Sequence, residues 1–492
     1  MSYQPFSTTR PTDSGPFIHI LDDYSLLNIF FLTRPAILDD SEVDNSQFLE
    51  DGKFDGEWNL ERWWYRLVQV CRRWRYIVLE SASHLRLSLV CARGTPVGDM
   101  LAHSTPLPLV INYFFSGNKI TAEEEKGLAL ALQHRDRVRR IRFKGTAPVL
   151  QKLSNSLDGE FSILEYLFIE LQRIPWSFDD DANFPETFRA PHLRHLLLTN
   201  FDIPIGSPLL TTGSIVTLSL NSLPRSTYFD PNASLKRVSS MPQLETLRIY
   251  FDPDYPTQSE RQLLRRPIKT RVTLPNLRWL ELKGDSDYLE VLLPHVTLPL
   301  LEKFQIYFFN QVASYMPHLQ QFISTTEDLQ PNSITLAFHS QCVEVMTYPN
   351  EGAVMHTLSL SLGARSLHWQ VESAIQLFRT LSMAFSTVEH LTLQYDIPQD
   401  MPTKPSRRIE PGRTQWHELL RLFANVKTLF VDGCLVWELS HALQPGTRES
   451  HTQLLPELKE LSCPAKAYFA NAFTPFIDAR VRAGRPVTMI RL

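Results

Sequence analysis

At 492 residues the chain is long enough for two to four ordinary domains or one long repeat array. A hydrophobic content of 43% with 21% charged residues excludes a chain too polar to bury a core. A net charge of −4 and a pI near 6.4 exclude any global pull toward nucleic acid or an anionic membrane.

The first residues, "MSYQPFSTTRPTDSG", are polar and lack the apolar core of a signal peptide, so residues 1–16 are expected to be a flexible terminus. No run approaches the roughly 18 apolar residues that a membrane helix needs. The lone sequon at Asn232 then carries little weight. Cys71, Cys91, Cys342, Cys434 and Cys463 lie far apart without a CxxC pair, which argues against a zinc site and a disulfide framework. A reduced compartment, cytoplasm and/or nucleus, is expected. The 34 prolines are scattered, as punctuation between short elements would be.

Two helical segments follow. "FIHILDDYSLLNIFFLTRP", from Phe17 to Pro35, can begin a helix at Asp22, whose carboxylate can accept from the unpaired amides of a first turn. "LVQVCRRWRYIVLESASHLRLSLVC", from Leu67 to Cys91, places Val70, Cys71, Trp74, Ile77 and Val78 on one helical face, with Arg72, Arg73 and Arg75 on another. Between them, residues 36–59 carry eight acids and one lysine in "DDSEVDNSQFLEDGKFDGEW" and read as a solvated insertion.

The two segments together resemble an F-box. The opening pattern of Leu-Pro, an acid, Leu-Leu, then Ile-Phe is matched at Leu21, Leu26, Leu27, Ile29 and Phe30, with Asp22 where the family usually has Pro and Tyr24 where it often has Glu. The resemblance implies a small helical domain, residues 17–90, that docks on a Skp-type adaptor hung from a cullin. It assigns the adaptor contact to Leu21, Leu26, Leu27, Ile29, Phe30, Pro35, Val70, Cys71, Trp74 and Ile77. The competing reading is a pair of amphipathic helices that caps some other domain.

Residues 91–135 read as a linking segment containing one helix, "TAEEEKGLALALQHRD", with a capping box from Thr121 to Glu124. From residue 136 onward the pattern Leu-x-x-Leu-x-Leu recurs. Clear copies begin at Leu164, Leu193, Leu244, Leu277, Leu301, Met355, Val388, Val426 and Leu458, with weaker ones at Val138 and Ile215 and a degenerate "ITLAFHS". Most starts fall between 22 and 38 residues apart. Alternation over three or four residues makes one face of a strand apolar, and a single short strand cannot bury that face alone. Helical segments such as "VESAIQLFRTLSMAF" and "TQWHELLRLFANV" lie between copies, and a "PxL" turn precedes many of the expected strands.

This part resembles the leucine-rich repeat, though the Asn often found after the last Leu has a near match only at Asn221. The implied fold class is α/β: an N-terminal helical F-box, then a curved solenoid over residues 136–492 with parallel strands inside and helices outside. Nearly the whole chain resembles a fungal F-box protein with leucine-rich repeats, in phrases such as "VCRRWR", "VTLPNLRWLEL" and "FIDARVRAGRPVT". Outward strand residues would bind a target protein: His195, Arg248, Tyr250, Trp279, Glu281, Gln305, Tyr307, His390, Thr392 and Phe430.

Catalytic signals are weak. His134-Arg135-Asp136 resembles a kinase catalytic loop, but no Gly-rich loop or Asp-Phe-Gly site accompanies it. His417-Glu418 lacks the second His that a zinc protease needs. Cys71 sits on the expected apolar stripe, where packing explains it better than nucleophilic chemistry. Arg62 to Arg75 interleaves arginines with aromatics, which can stack bases, but the acidic insertion is the simpler partner. No cofactor, metal, nucleic acid or membrane is expected. The family resemblance implies a non-catalytic substrate receptor of a Skp–cullin–F-box ubiquitin ligase with an unknown protein substrate. The alternative is a repeat scaffold that joins no ligase.

Overall fold

A computed structural model of the chain describes residues 21–35, 61–104, 106–114, 120–153, 156–172, 185–201, 203–223, 230–251, 262, 264, 266–309, 315–350, 352–396, 412–444, 454–465 and 471–491. The expected flexible terminus 1–16 and the acidic insertion 36–59 lie outside the described residues. By its internal contacts the chain divides into two compact units, Met1–Phe114 with Lys119–Phe143, and Phe115–Asn118 with Lys144–Leu492. Among the described residues, no helix is long and apolar enough to cross a membrane.

The first unit holds α1 (Asp23–Leu32), α2 (Arg72–Glu80), β1 (Leu89–Ala92), α3 (Val97–His103), β2 (Leu109–Phe114), α4 (Ala122–Gln133) and most of β3 (Val138–Gly145). Asp22 caps α1 by accepting the Ser25 N–H at 2.6 Å. That hydrogen bond holds its carboxyl below the ordinary range. In α4, Thr121 and Glu124 form the expected reciprocal capping box. The strand β1 pairs in parallel with β2, and β3 lies next in order.

Two expectations change here. The stripe from Val70 to Val78 is not one helical face, because the backbone at Cys71 is extended and α2 begins only at Arg72. Cys71 is the cap, its Sγ accepting the Trp74 N–H at 3.5 Å, while Val70 ends a short 3-10 turn and is 59% exposed. The stretch 91–135, read as a link, carries α3, β2 and α4. "LVINYF" forms β2, with Val110, Ile111 and Tyr113 buried.

In the second unit the helices are α5 (Ala147–Leu153), α6 (Pro231–Val238), α7 (Ser286–Leu292), α8 (Pro317–Thr325), α9 (Leu367–Thr380), α10 (Arg413–Arg421), α11 (Val436–Ala442) and α12 (Thr474–Arg482). The strands are β4 (Tyr166–Leu171), β5 (His195–Thr199), β6 (Thr217–Leu223), β7 (Thr246–Phe251), β8 (Val272–Thr273), β9 (Trp279–Gly284), β10 (Val296–Thr297), β11 (Lys303–Phe308), β12 (Ser333–His339), β13 (Cys342–Tyr348), β14 (Leu358–Gly363), β15 (His390–Asp396), β16 (Thr428–Val431), β17 (Glu460–Cys463) and β18 (Thr488–Arg491). They form a large sheet in the order β4-β5-β6-β7-β9-β11-β14-β13-β12-β15-β16-β17-β18, with β8 and β10 paired separately.

The recurring motif explains the stacking. Its second and third apolar positions align across strands, as in Leu198, Leu220, Ile249, Leu282, Ile306 and Leu360, all buried. Each such side chain contributes about 1.5–3 kcal/mol relative to exposure. Helices cover this apolar face: Leu235 and Val238 of α6 and Tyr288 of α7 meet Leu247, Ile249, Leu280 and Leu282.

The strands are not all parallel as expected. The degenerate copy forms β12, and β13 turns back from it, pairing antiparallel with both β12 and β14. Only Ser340 and Gln341 separate β12 from β13, too short a connection for a parallel crossover. "CVEVMTY" alternates buried and half-buried positions, the pattern of a strand with one covered face.

Candidate functional site: the polar face of the second unit

The two helical motif segments meet in the first unit. Phe30 packs edge-on against Trp74, with ring centroids 4.7 Å apart. Arg73 donates to the Leu21 carbonyl at 2.6 Å and pairs with Asp23 at 2.7 Å. Leu26, Phe30 and Ile77 are 0%, 1% and 5% exposed, so these three expected adaptor residues serve the unit's own interior. Leu21, Leu27, Pro35, Cys71 and Trp74 are half-buried. Among the described residues of this unit, Tyr24, Ile29, Phe31, Leu32, Val70 and Tyr76 carry the exposed large apolar surface. Phe31, Leu32 and the two tyrosines are absent from the expected set because a helical match scores motif positions, not the face left uncovered.

On the sheet of the second unit, residues alternating with the leucines form a polar face, and parallel register lines them up in rows. One row runs Ser219, Arg248, Glu281, Gln305, Ser359, Met346, Thr335, Thr392, Phe430 and Ser462. Every residue expected to contact a target lies on this face, but the face has two different halves.

From β5 to β11 it is filled. Arg248 and Glu281 are each 4% exposed by side chain and pair at 3.1 Å. Tyr250 donates its hydroxyl to Glu281. Burial first, then the Glu281 carboxylate, pushes the Tyr250 phenol up, so it stays protonated and donating. From the two flanking strands, Arg248 Cζ and Lys303 Nζ each lie 4.0 Å from the Trp279 ring centroid. The Trp279 indole donates to Gln305 Oε1 at 3.2 Å, and Gln305 Nε2 lies 3.0 Å from His356 Nε2. Tyr307 approaches Tyr250 with ring centroids 6.1 Å apart. His195, Arg248, Glu281 and Gln305 are therefore buried rather than outward-reaching, because long side chains on strands about 4.8 Å apart cover one another. Tyr250, Trp279 and Tyr307 remain half-buried.

Glu344 of β13 adds a carboxylate that the sequence reading missed. Burial pushes it up, but hydrogen bonds from His339 and Ser359 outweigh that and hold it below the ordinary range. His356 is pushed down by burial and then by the Lys303 charge.

From β12 to β18 the face opens. A groove of about 500 Å³ runs over Ser333, Thr335, His390, Thr392, Thr428, Phe430, Glu460 and Ser462, walled by Tyr348 at the end of β13 and by Asn350 and Val354 after it. It gathers His390, Thr392 and Phe430 from the expected set. The His390 Nδ1 lies 2.7 Å from Thr428 Oγ1. Glu460 and Ser462 were missed, although their alternate positions in "LKELSC" place them on this face by the same rule. Among the described residues there is no group of three or more His, Cys, Asp or Glu arranged to hold a metal ion. No protein-family model matches the chain, and no curated protein matches it significantly.

Proposed function

We propose that the chain is a substrate receptor of a Skp–cullin–F-box ubiquitin ligase. The first unit would dock on the adaptor, and the second, read as a leucine-rich-repeat solenoid, would hold a target protein. The observation that carries this reading is the pairing of the two F-box-like segments. Phe30 meets Trp74, and Arg73 ties Leu21 and Asp23 to α2, across some 50 residues of sequence. The stacked parallel strands with aligned leucines support the repeat half. Since Leu26, Phe30 and Ile77 are interior, adaptor contact falls to Ile29 and Leu32, three residues apart on α1, and to Val70. The chemical contribution is proximity: a tethered target presents its lysines at high effective concentration, and no residue of this chain touches the reacting atoms.

A binding scaffold that joins no ligase is the second reading, favoured by the burial of those same three motif residues. A pull-down of the tagged chain with its host's Skp adaptor separates the two. Wild type should capture the adaptor, and Leu32→Asp/Val70→Asp should lose it while keeping its circular dichroism spectrum. Absence of capture by folded wild type would sink the ligase reading.

A further inference from the structure

The open groove of the second unit has a specific chemistry. Two adjacent rows of the sheet line its floor. Ser333, His390, Thr428 and Glu460 are in register, as are Thr335, Thr392, Phe430 and Ser462. Five of these eight residues carry hydroxyls, which can donate or accept toward an extended backbone. The other three are His390, which lies 2.7 Å from Thr428, and Glu460 and Phe430. Glu460 is half-buried and has no cationic side chain against its carboxylate among the described residues. Phe430, half-buried on the neighbouring strand, is its diagonal neighbour, paired in register with Ser462 two residues beyond Glu460. Lys427, nearby at the strand starts, pairs with Glu389. The groove therefore presents the Glu460 carboxylate beside the Phe430 ring, with Tyr348 in its wall. Val354, 92% exposed, adds an apolar rim.

We infer that this groove receives an extended peptide segment bearing an arginine, its guanidinium paired with Glu460 and lying against the Phe430 ring. A planar guanidinium satisfies both contacts at once, accepting the ring on its face while donating to the carboxylate at its edge. A lysine ammonium can do only one of these well. An acidic or phosphorylated segment is disfavoured, because Glu460 repels it. The volume of about 500 Å³ fits a few side chains rather than a folded surface. The inference rests on reading the second unit as the target-holding part of the molecule.

The test uses the labelled full chain and three immobilised pools of acetylated hexapeptides, degenerate except for a fixed central Arg, Ala or Glu. Wild type should be retained about tenfold more by the Arg pool than by the Glu pool. Glu460→Gln should reduce that ratio to about twofold or less, and Phe430→Ala should lower it with less effect on the Ala pool. Equal retention on all pools by folded wild type, or a preference that survives Glu460→Gln, overturns the inference. Adaptor capture assayed on the same preparation scores the ligase reading separately, so either can fail alone.

Discussion

The two halves of the polar face are built on the same strand repeat and end in opposite states. Between β7 and β11 the outward positions carry Arg248, Trp279, Glu281, Lys303 and Gln305, large side chains that neutralise and cover one another. Between β12 and β18 the equivalent positions carry mostly short side chains, Ser333, Thr335, Thr392, Thr428 and Ser462; His390 reaches Thr428 across strands, but a groove remains. Side-chain length and charge pairing at alternate positions decide whether such a face becomes framework or receptor. The backbone is indifferent.

The comparison can be broken most directly at the buried pair. Replacing Glu281 by Gln leaves the Arg248 charge buried without its counter-ion. The expected cost is about 3 kcal/mol of stability in equilibrium urea unfolding. Loss of less than about 1 kcal/mol would mean that the filled half is as loosely built as the open one. Trp279→Ala should cost less, about 2 kcal/mol, since the ring is half-buried and holds two cations and one hydrogen bond.

A third test uses pH. The folded-state pKa of His356 lies below its ordinary 6.5, so the unfolded chain binds more protons just below that pH. Stability is fully present above 6.5 and falls as pH drops through the folded value. Glu344 adds a loss at lower pH, present above its ordinary 4.5 and lost as pH falls through its depressed value. His356→Asn should flatten the upper part of that slope. Urea midpoints at pH 7.5 and 5.5 for both proteins would show it, and parallel slopes would contradict it. The smallest effect belongs to the open half: Phe430→Ala should change stability by about 1 kcal/mol or less, because the ring is half-buried at the groove floor.

Much of this was legible in the sequence for a physical reason. The motif at Leu193, Leu244, Leu277 and Leu301 encodes strand alternation, and those strands lie at β5, β7, β9 and β11 with their leucines buried. The capping box at Thr121 and the cap at Asp22 are local chemistry and formed as read. Three things were not legible. Helical spacing cannot register that an extended Cys71 restarts the helix, which freed Val70. A short antiparallel return such as β13 follows a degenerate copy and carries no repeat motif of its own. Alternation predicts which residues point outward but not which stay accessible: Arg248 and Glu281 close over each other, a property of neighbouring strands rather than of either motif. His390, Thr392 and Phe430 line the groove because most of their register neighbours, Ser333, Thr335, Thr428 and Ser462, are short.

The most direct measurement is a side-by-side urea unfolding of Glu281→Gln and Glu460→Gln, the same isosteric change on one polar face. Glu281→Gln should lose about 3 kcal/mol, while Glu460→Gln should stay within about 0.5 kcal/mol of wild type. Equal losses, or a larger loss at Glu460, would contradict the division of this face into framework and receptor.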